Sequence, residues 1–103
     1  MSSMKVSYVY IETNYDKSVF YTGVTSDIHK RHYQHQVGTY NGFSSKYHTK
    51  YLVWYDVFSP ITEAIKFEKR LKRWRRSWKI ELIEKTNPEW LDLSTNEPFG
   101  RRE

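Results

Sequence analysis

With 103 residues and a net charge of +5, a pI of about 9.4 and a mean hydropathy of −0.84, the chain reads as one small, polar, basic domain. Aromatic residues make up 17% of it, which excludes the composition of a disordered chain, and the lack of cysteine excludes disulfides and thiolate metal sites. No apolar run approaches the roughly 20 residues that cross a bilayer. Met1 to Lys5 carry no apolar signal core, so no membrane partner and a cytoplasmic location are the expectations.

From Lys5 to Ile11 nearly every residue is a strand former, as expected of a central strand covered on both faces. Asn14, Asp16, Lys17 and Ser18 supply turn chemistry. The next run, Val19 to Val24, therefore returns antiparallel, with Gly23 at a strand end or at a close approach of backbone to a ligand. Ser26 or Asp27 caps a helix from Ile28 to Val37 that stops at Gly38. At 100° per residue, Ile28, Arg31, His32 and His35 share a face, so polar groups on this helix turn towards the two strands. A polar loop holding Lys46 and His48 leads to a third strand, Tyr51 to Phe58.

Ser59-Pro60 opens a second helix, about Pro60 to Arg75, as cap and first helical residue. Its apolar arc of Ile61, Ala64, Ile65, Phe67, Leu71 and Trp74 encloses Glu68, a costly place for a carboxylate unless it is paired or binds metal. Between Lys66 and Lys79 there are eight Lys or Arg against that one acid. Lys69, Arg70, Lys72, Arg73, Arg75 and Arg76, with Lys46, are the candidate polyanion contacts. Trp74 and Trp78 lie close to Phe67 and Leu71 on the wheel, which favours a core role over base stacking. A further helix, Trp78 to Lys85, ends at Asn87-Pro88, a short tail docks as far as Leu93, and Ser94 to Glu103 is expected to be disordered. The fold class is α/β (α+β): a small, three-stranded, mainly antiparallel sheet flanked by helices, in one domain over residues 5–93.

These residues are the parts of a phosphodiester-cleaving site. Tyrosine hydroxyls (Tyr8, Tyr10, Tyr21), cations (Arg31, Lys46), the His35 imidazole and the inward Glu68 provide proton transfer, positive charge on phosphate and one anionic metal ligand. One carboxylate with waters and a phosphate oxygen is enough for Mg²⁺, which takes few protein ligands.

The pattern resembles the GIY-YIG endonuclease superfamily, and within it the small stand-alone proteins related to the nuclease domain of excision-repair enzymes. Tyr8-Val9-Tyr10 and Tyr21-Thr22-Gly23 stand at the two tripeptides of that family's name. Asp27 to Arg31 with His35 match its arginine helix, Ala64 to Lys72 its glutamate helix, and Asn87-Pro88-Glu89-Trp90 with Asp92-Leu93 its closing motif. The resemblance implies a Mg²⁺- or Mn²⁺-dependent nuclease acting on DNA, branched or damaged DNA included. Tyr10 and Tyr21 would be catalytic tyrosines, Arg31 would stabilise phosphate, Glu68 would hold the metal and Asn87 would assist. Two departures stand out: Tyr8 replaces the first glycine, and Val24 stands where some repair nucleases carry lysine.

Blander readings compete at several positions. Arg31 and Glu68 could form a structural ion pair, Asn87 could be a helix stop, and His29, His32 and His35 lack a clear fourth ligand for zinc. A nucleic-acid-binding module without turnover is the main alternative function, and a basic interaction domain for an acidic protein is the third.

Overall fold

The computed structural model describes residues 6–36 and 47–95, without the side chains of residues 32, 34–36 and 95. Strands β1 (Ser7–Thr13), β2 (Phe20–Thr25) and β3 (Tyr51–Phe58) form one antiparallel sheet with β1 in the middle. The expected central strand is therefore central.

The β1–β2 hairpin is closed by its own side chains. Asn14 Oδ1 accepts the amides of Ser18 and Val19 at 3.0 and 3.1 Å, and Asp16 Oδ1 accepts the Ser18 hydroxyl at 2.6 Å. Those bonds hold the Asp16 carboxyl below its ordinary value, the Ser18 hydroxyl first among the causes. Lys17 takes the left-handed conformation that finishes the turn. Beyond the hairpin, helix α1 (Ile28–Gln36) is capped by Asp27, whose Oδ1 accepts the Lys30 amide at 3.1 Å.

Side chains alternate across a strand, so each face of β1 has its own core. Val9 and Ile11 pack with Val53, Trp54 and with Ala64 and Leu71 of helix α2 (Ile61–Arg73) and Ile83 of helix α3 (Arg76–Thr86). On the opposite face Tyr10 packs with Ile28 and Leu52, with Tyr8, Tyr21, Tyr55 and Leu93 around them. The larger apolar cluster carries most of the burial, and the tyrosine-rich cluster carries the candidate chemistry.

Several expectations shift on this frame. Pro60 is itself the cap of α2, extended and with no side-chain cap bond, so helix starts one residue later than expected. The chain breaks at Trp74–Arg75 before α3 begins. Trp74 packs edge-on against Phe67 with ring centroids 5.9 Å apart, as a core residue should. Trp78 is not core: it is 47% exposed, because the break rotates α3 and turns that residue outward. A 3₁₀ turn, Leu93–Thr95, takes in Ser94, whose amide and hydroxyl both bond Asp92 Oδ1. The rest of the expected tail, residues 96–103, lies outside the described residues.

One irregularity in the sheet accounts for the closing segment. Between Ile11 and Glu12 the pairing with β3 jumps from Trp54 to Leu52, leaving Val53 as an extra residue. Such a bulge removes backbone groups from the ladder. Asn87 Nδ2 donates to the Val53 carbonyl at 3.0 Å, and the Leu52 amide donates to Asp92 Oδ1 at 3.3 Å. The segment from Asn87 to Asp92 thus fastens the sheet where its ladder is broken.

Candidate active site

Cross-strand partners point to the same face. Tyr10 pairs with Gly23 on one side and Tyr55 on the other, and Glu12 pairs with Tyr21 and Leu52. This face of the sheet therefore gathers Tyr8, Tyr10, Glu12 and Tyr21, with the Tyr10 and Tyr21 ring centroids 6.2 Å apart. Tyr8 meets Tyr55 edge to face at the same separation, 6.2 Å.

Gly23 sets the depth of the cluster. A Cβ built there would lie 2.5 Å from the Tyr10 hydroxyl oxygen and 2.6 Å from its Cζ. The glycine gives way to the Tyr10 ring rather than to a ligand, the alternative considered from sequence. The second tripeptide ends in glycine for a packing reason.

Helix α1 adds the cation. Ile28 is buried in the tyrosine cluster, and one turn later Arg31 donates a hydrogen bond to the Tyr10 phenol. The expectation that this helix turns polar groups to the strands holds for Arg31. The side chain of His35, on the same helix, lies outside the described residues, as does the whole of Lys46.

The protonation state of Tyr10 follows from its surroundings. Burial pushes its phenol far above the ordinary value of 10, Tyr21 and Glu12 push the same way, and Arg31 only partly opposes them. Tyr10 is 1% exposed and stays neutral at any physiological pH. Tyr21 is only partly buried and so remains open to water. Burial, and then Tyr8, also raise the Tyr55 phenol.

Glu12 is the residue that sequence reasoning passed over. It is fully buried, two residues beyond Tyr10 on the same face, and its charge is felt at Tyr10. The signal was present: Tyr8, Tyr10 and Glu12 share a parity. A carboxylate two residues after a strand tyrosine has to lie on that tyrosine's face.

Glu68 sits elsewhere in the architecture. It is 7% exposed on α2, on the docked face between Ala64 and Leu71, and Lys72 Nζ lies 2.6 Å from its Oε2. Its ion pair is made one turn along its own helix, whereas Arg31 is engaged with Tyr10. A buried, charged carboxylate is a hard oxygen donor of the type Mg²⁺ and Mn²⁺ accept. No cluster of three or more acids, histidines or cysteines occurs among the described residues. A divalent ion on Glu68 would complete its shell with water and substrate phosphate.

Asn87 is buried, and its side chain is fully committed to backbone. Beyond Val53, its amide nitrogen donates to the Leu91 carbonyl at 2.9 Å and its oxygen accepts the Leu91 amide at 2.9 Å.

The cations of the basic stretch are unevenly available. Lys69, Arg70, Arg73 and Arg75 are exposed, with Arg70 over Phe67 and Arg75 over Trp78. Lys72 is partly neutralised by Glu68. Arg76 lies 4.2 Å from the Phe20 ring and donates at 2.5 Å to the Lys17 carbonyl. Beside it, burial and then the charges of Arg76 and Lys72 lower the Lys79 ammonium.

The model of the GIY-YIG catalytic domain matches residues 6–81, which include both tyrosines, Arg31 and Glu68. A UPF0213 protein of Syntrophus aciditrophicus (strain SB) is 34% identical over 87 residues, covering 84% of this chain and 98% of that one. The solution NMR structure of the UPF0213 protein from Bacillus halodurans superposes with a TM-score of 0.55 at 26% identity, covering 89% of this chain and 97% of that one. With three quarters of its residues matched by the family's catalytic domain and near-full coverage of a relative at 34% identity, the chain belongs to the GIY-YIG family, homologous to the UPF0213 proteins.

Proposed function

We propose that this protein is an endonuclease that hydrolyses phosphodiester bonds in DNA. The observation that carries the reading is the hydrogen bond from Arg31 to Tyr10 on the face that also presents Tyr21. A family whose domain implies nuclease-type chemistry on nucleic acid supports it.

The roles follow from exposure and protonation. Tyr10 is too buried and too firmly protonated to accept a proton, so it anchors the Arg31 guanidinium in place. Arg31, with five donors in a fixed fork, stabilises charge on the phosphate. Tyr21, the more open phenol, takes or relays the proton of the attacking water. Glu12 keeps negative charge behind the pair, which disfavours any phenolate at Tyr10. His35 is assigned to the phosphate or to a tyrosine hydroxyl, and Lys46 to the DNA backbone.

Glu68 would hold one Mg²⁺ or Mn²⁺. Bound there, the ion would supply Lewis-acid polarisation and a more acidic water. Lys72 would then yield part of its contact with that carboxylate. Asn87 keeps the bulge closed and so fixes the Glu12 rung; it is a positioning residue that meets no substrate. Lys69, Arg70, Arg73, Arg75 and Arg76 track the phosphates.

The test is cleavage of single-stranded, duplex and branched DNA with Mg²⁺, Mn²⁺ or chelator, for wild type beside Glu68→Ala. Divalent-dependent cutting that Glu68→Ala abolishes, with the circular dichroism spectrum unchanged, supports the reading. Salt-sensitive binding with no cutting under any condition gives the protein to the binding-module alternative.

A further inference from the structure

At the hairpin end of the sheet lies a pocket of about 200 Å³ lined by Thr13, Asn14, Tyr15, Lys17, Tyr51 and Trp90. It is smaller than the roughly 300–1,000 Å³ typical of sites for drug-sized molecules. Three of its six walls are aromatic. Tyr15 is 83% exposed and Tyr51 38% exposed, with ring centroids 6.5 Å apart, so two ring faces meet solvent with no part in the core. Trp90 is fixed from behind: its ring lies tilted against Phe20 with centroids 5.8 Å apart, and its Nε1 donates to Glu84 at 2.8 Å.

Positive charge adjoins the aromatic walls. Lys17 Nζ lies 5.8 Å from the centre of the Trp90 ring. The carbonyl of the same residue is held by Arg76, and Lys79 feels the charges of both Arg76 and Lys72 across the α2–α3 junction. A line of cations therefore leaves the rim of an aromatic pocket, the pairing that single-stranded nucleic acid recognises: bases stack on rings while phosphates follow the charges. Bases inside a duplex are covered on both faces by their stacked neighbours and cannot enter. Thr13 and Tyr51 pair with each other one residue beyond Glu12, and Phe20 and Trp90 belong to the apolar cluster of Val9 and Ile11, so the pocket lies at the hairpin end on the sheet face opposite Tyr10 and Tyr21.

We infer that this pocket takes one unpaired nucleobase, with Lys17 and Arg76 on the flanking phosphates, and that the nucleic acid this protein acts on carries at least one unpaired nucleotide. The inference deepens the nuclease reading by naming the substrate class and rests on it for its biological meaning. Its test needs no cutting.

The measurement is fluorescence anisotropy in chelator with a labelled single-stranded oligonucleotide, its blunt duplex, and the same single strand with consecutive abasic residues. Wild type is expected to bind the intact single strand about tenfold more tightly than the abasic strand, the scale of one stacked base. Tyr15→Ala should abolish that preference and leave duplex affinity unchanged, while Tyr15→Phe should retain it. Tyr15 is too exposed for the substitution to unfold the chain, and circular dichroism checks this. Equal binding of intact and abasic strands by wild type would overturn the base pocket, as would a Tyr15→Ala variant that keeps the preference. A wild-type protein that prefers the intact strand yet cuts no DNA with Mg²⁺ or Mn²⁺ would sink the nuclease reading and leave the pocket standing.

Discussion

The Tyr10 ring lies across Gly23, its cross-strand partner, so closely that a Cβ there would meet the phenol oxygen at 2.5 Å. That contact explains why a glycine follows Tyr21 by two residues. It also seats the phenol that Arg31 grips.

Gly23→Ala should therefore be far worse than its size suggests. The Tyr10 ring is fully buried and cannot swing away, so overpacking should cost about 1–3 kcal/mol in urea or thermal unfolding. Cutting should fall with it, because Tyr10 no longer positions Arg31. A variant with wild-type stability and activity would contradict the close approach.

Tyr10 should also leave a mark on alkaline stability. Its folded value lies above the ordinary 10.0, so below pH 10 both states are protonated and the group contributes no pH dependence. Above pH 10 the unfolded chain loses the proton first. Stability should then fall by up to about 1.4 kcal/mol per pH unit. Tyr55, raised in the same direction, adds to the fall. Denaturant titrations between pH 8 and 11 should show a shallower fall for Tyr10→Phe, and an unchanged slope would refute its burial in neutral form.

Asn87→Ala removes three buried or partly buried side-chain hydrogen bonds and should cost about 3 kcal/mol, roughly 1 kcal/mol for each. Specific activity at a temperature where the variant is folded should stay within a few-fold of wild type. A folded, stable Asn87→Ala variant without activity would return the residue to the reacting groups.

The basic ridge makes a separate prediction. Replacing Arg70, Arg73 or Arg75 by Gln should weaken DNA binding similarly for every sequence. Each replacement should lower the slope of log K against log salt by about 1. Lys72→Gln should do less, since Glu68 already holds its ammonium. Slopes that do not change would remove these side chains from the phosphate path.

The tyrosines, Arg31 and the three strands were legible because each is a local signal: strand formers in dense runs, a cap at Asp27, an arginine at helical spacing from an apolar anchor. Glu12 was missed because the first strand was taken to end at Ile11 with Glu12 in the turn, whereas β1 runs on to Thr13 and register places Glu12 opposite Tyr21. The role of Asn87 was hidden for a different reason. It depends on a bulge at Val53, and neither strand announces an extra residue by composition. Trp78 was placed in the core by carrying the wheel of the second helix past its end and on to Trp78, whereas the break at Trp74–Arg75 resets the wheel. Gly23 invited a ligand-centred reading, and only the pairing of strands revealed that Tyr10 is what it accommodates.

The central claim is that Tyr21 and Arg31, seated by Tyr10, carry out phosphodiester cleavage. Single-turnover cutting of a single-stranded or branched DNA with Mg²⁺ tests it most directly, for wild type, Tyr21→Phe, Arg31→Ala and Tyr10→Phe, with DNA affinity measured alongside. The account predicts losses of about 10²- to 10⁴-fold in rate for Tyr21→Phe, the scale of one proton-transfer group, with affinity retained. Arg31→Ala should also cut slowly, and Tyr10→Phe should fall between that variant and wild type. Tyr21→Phe cutting at the wild-type rate, in a preparation free of contaminating nuclease, would contradict it.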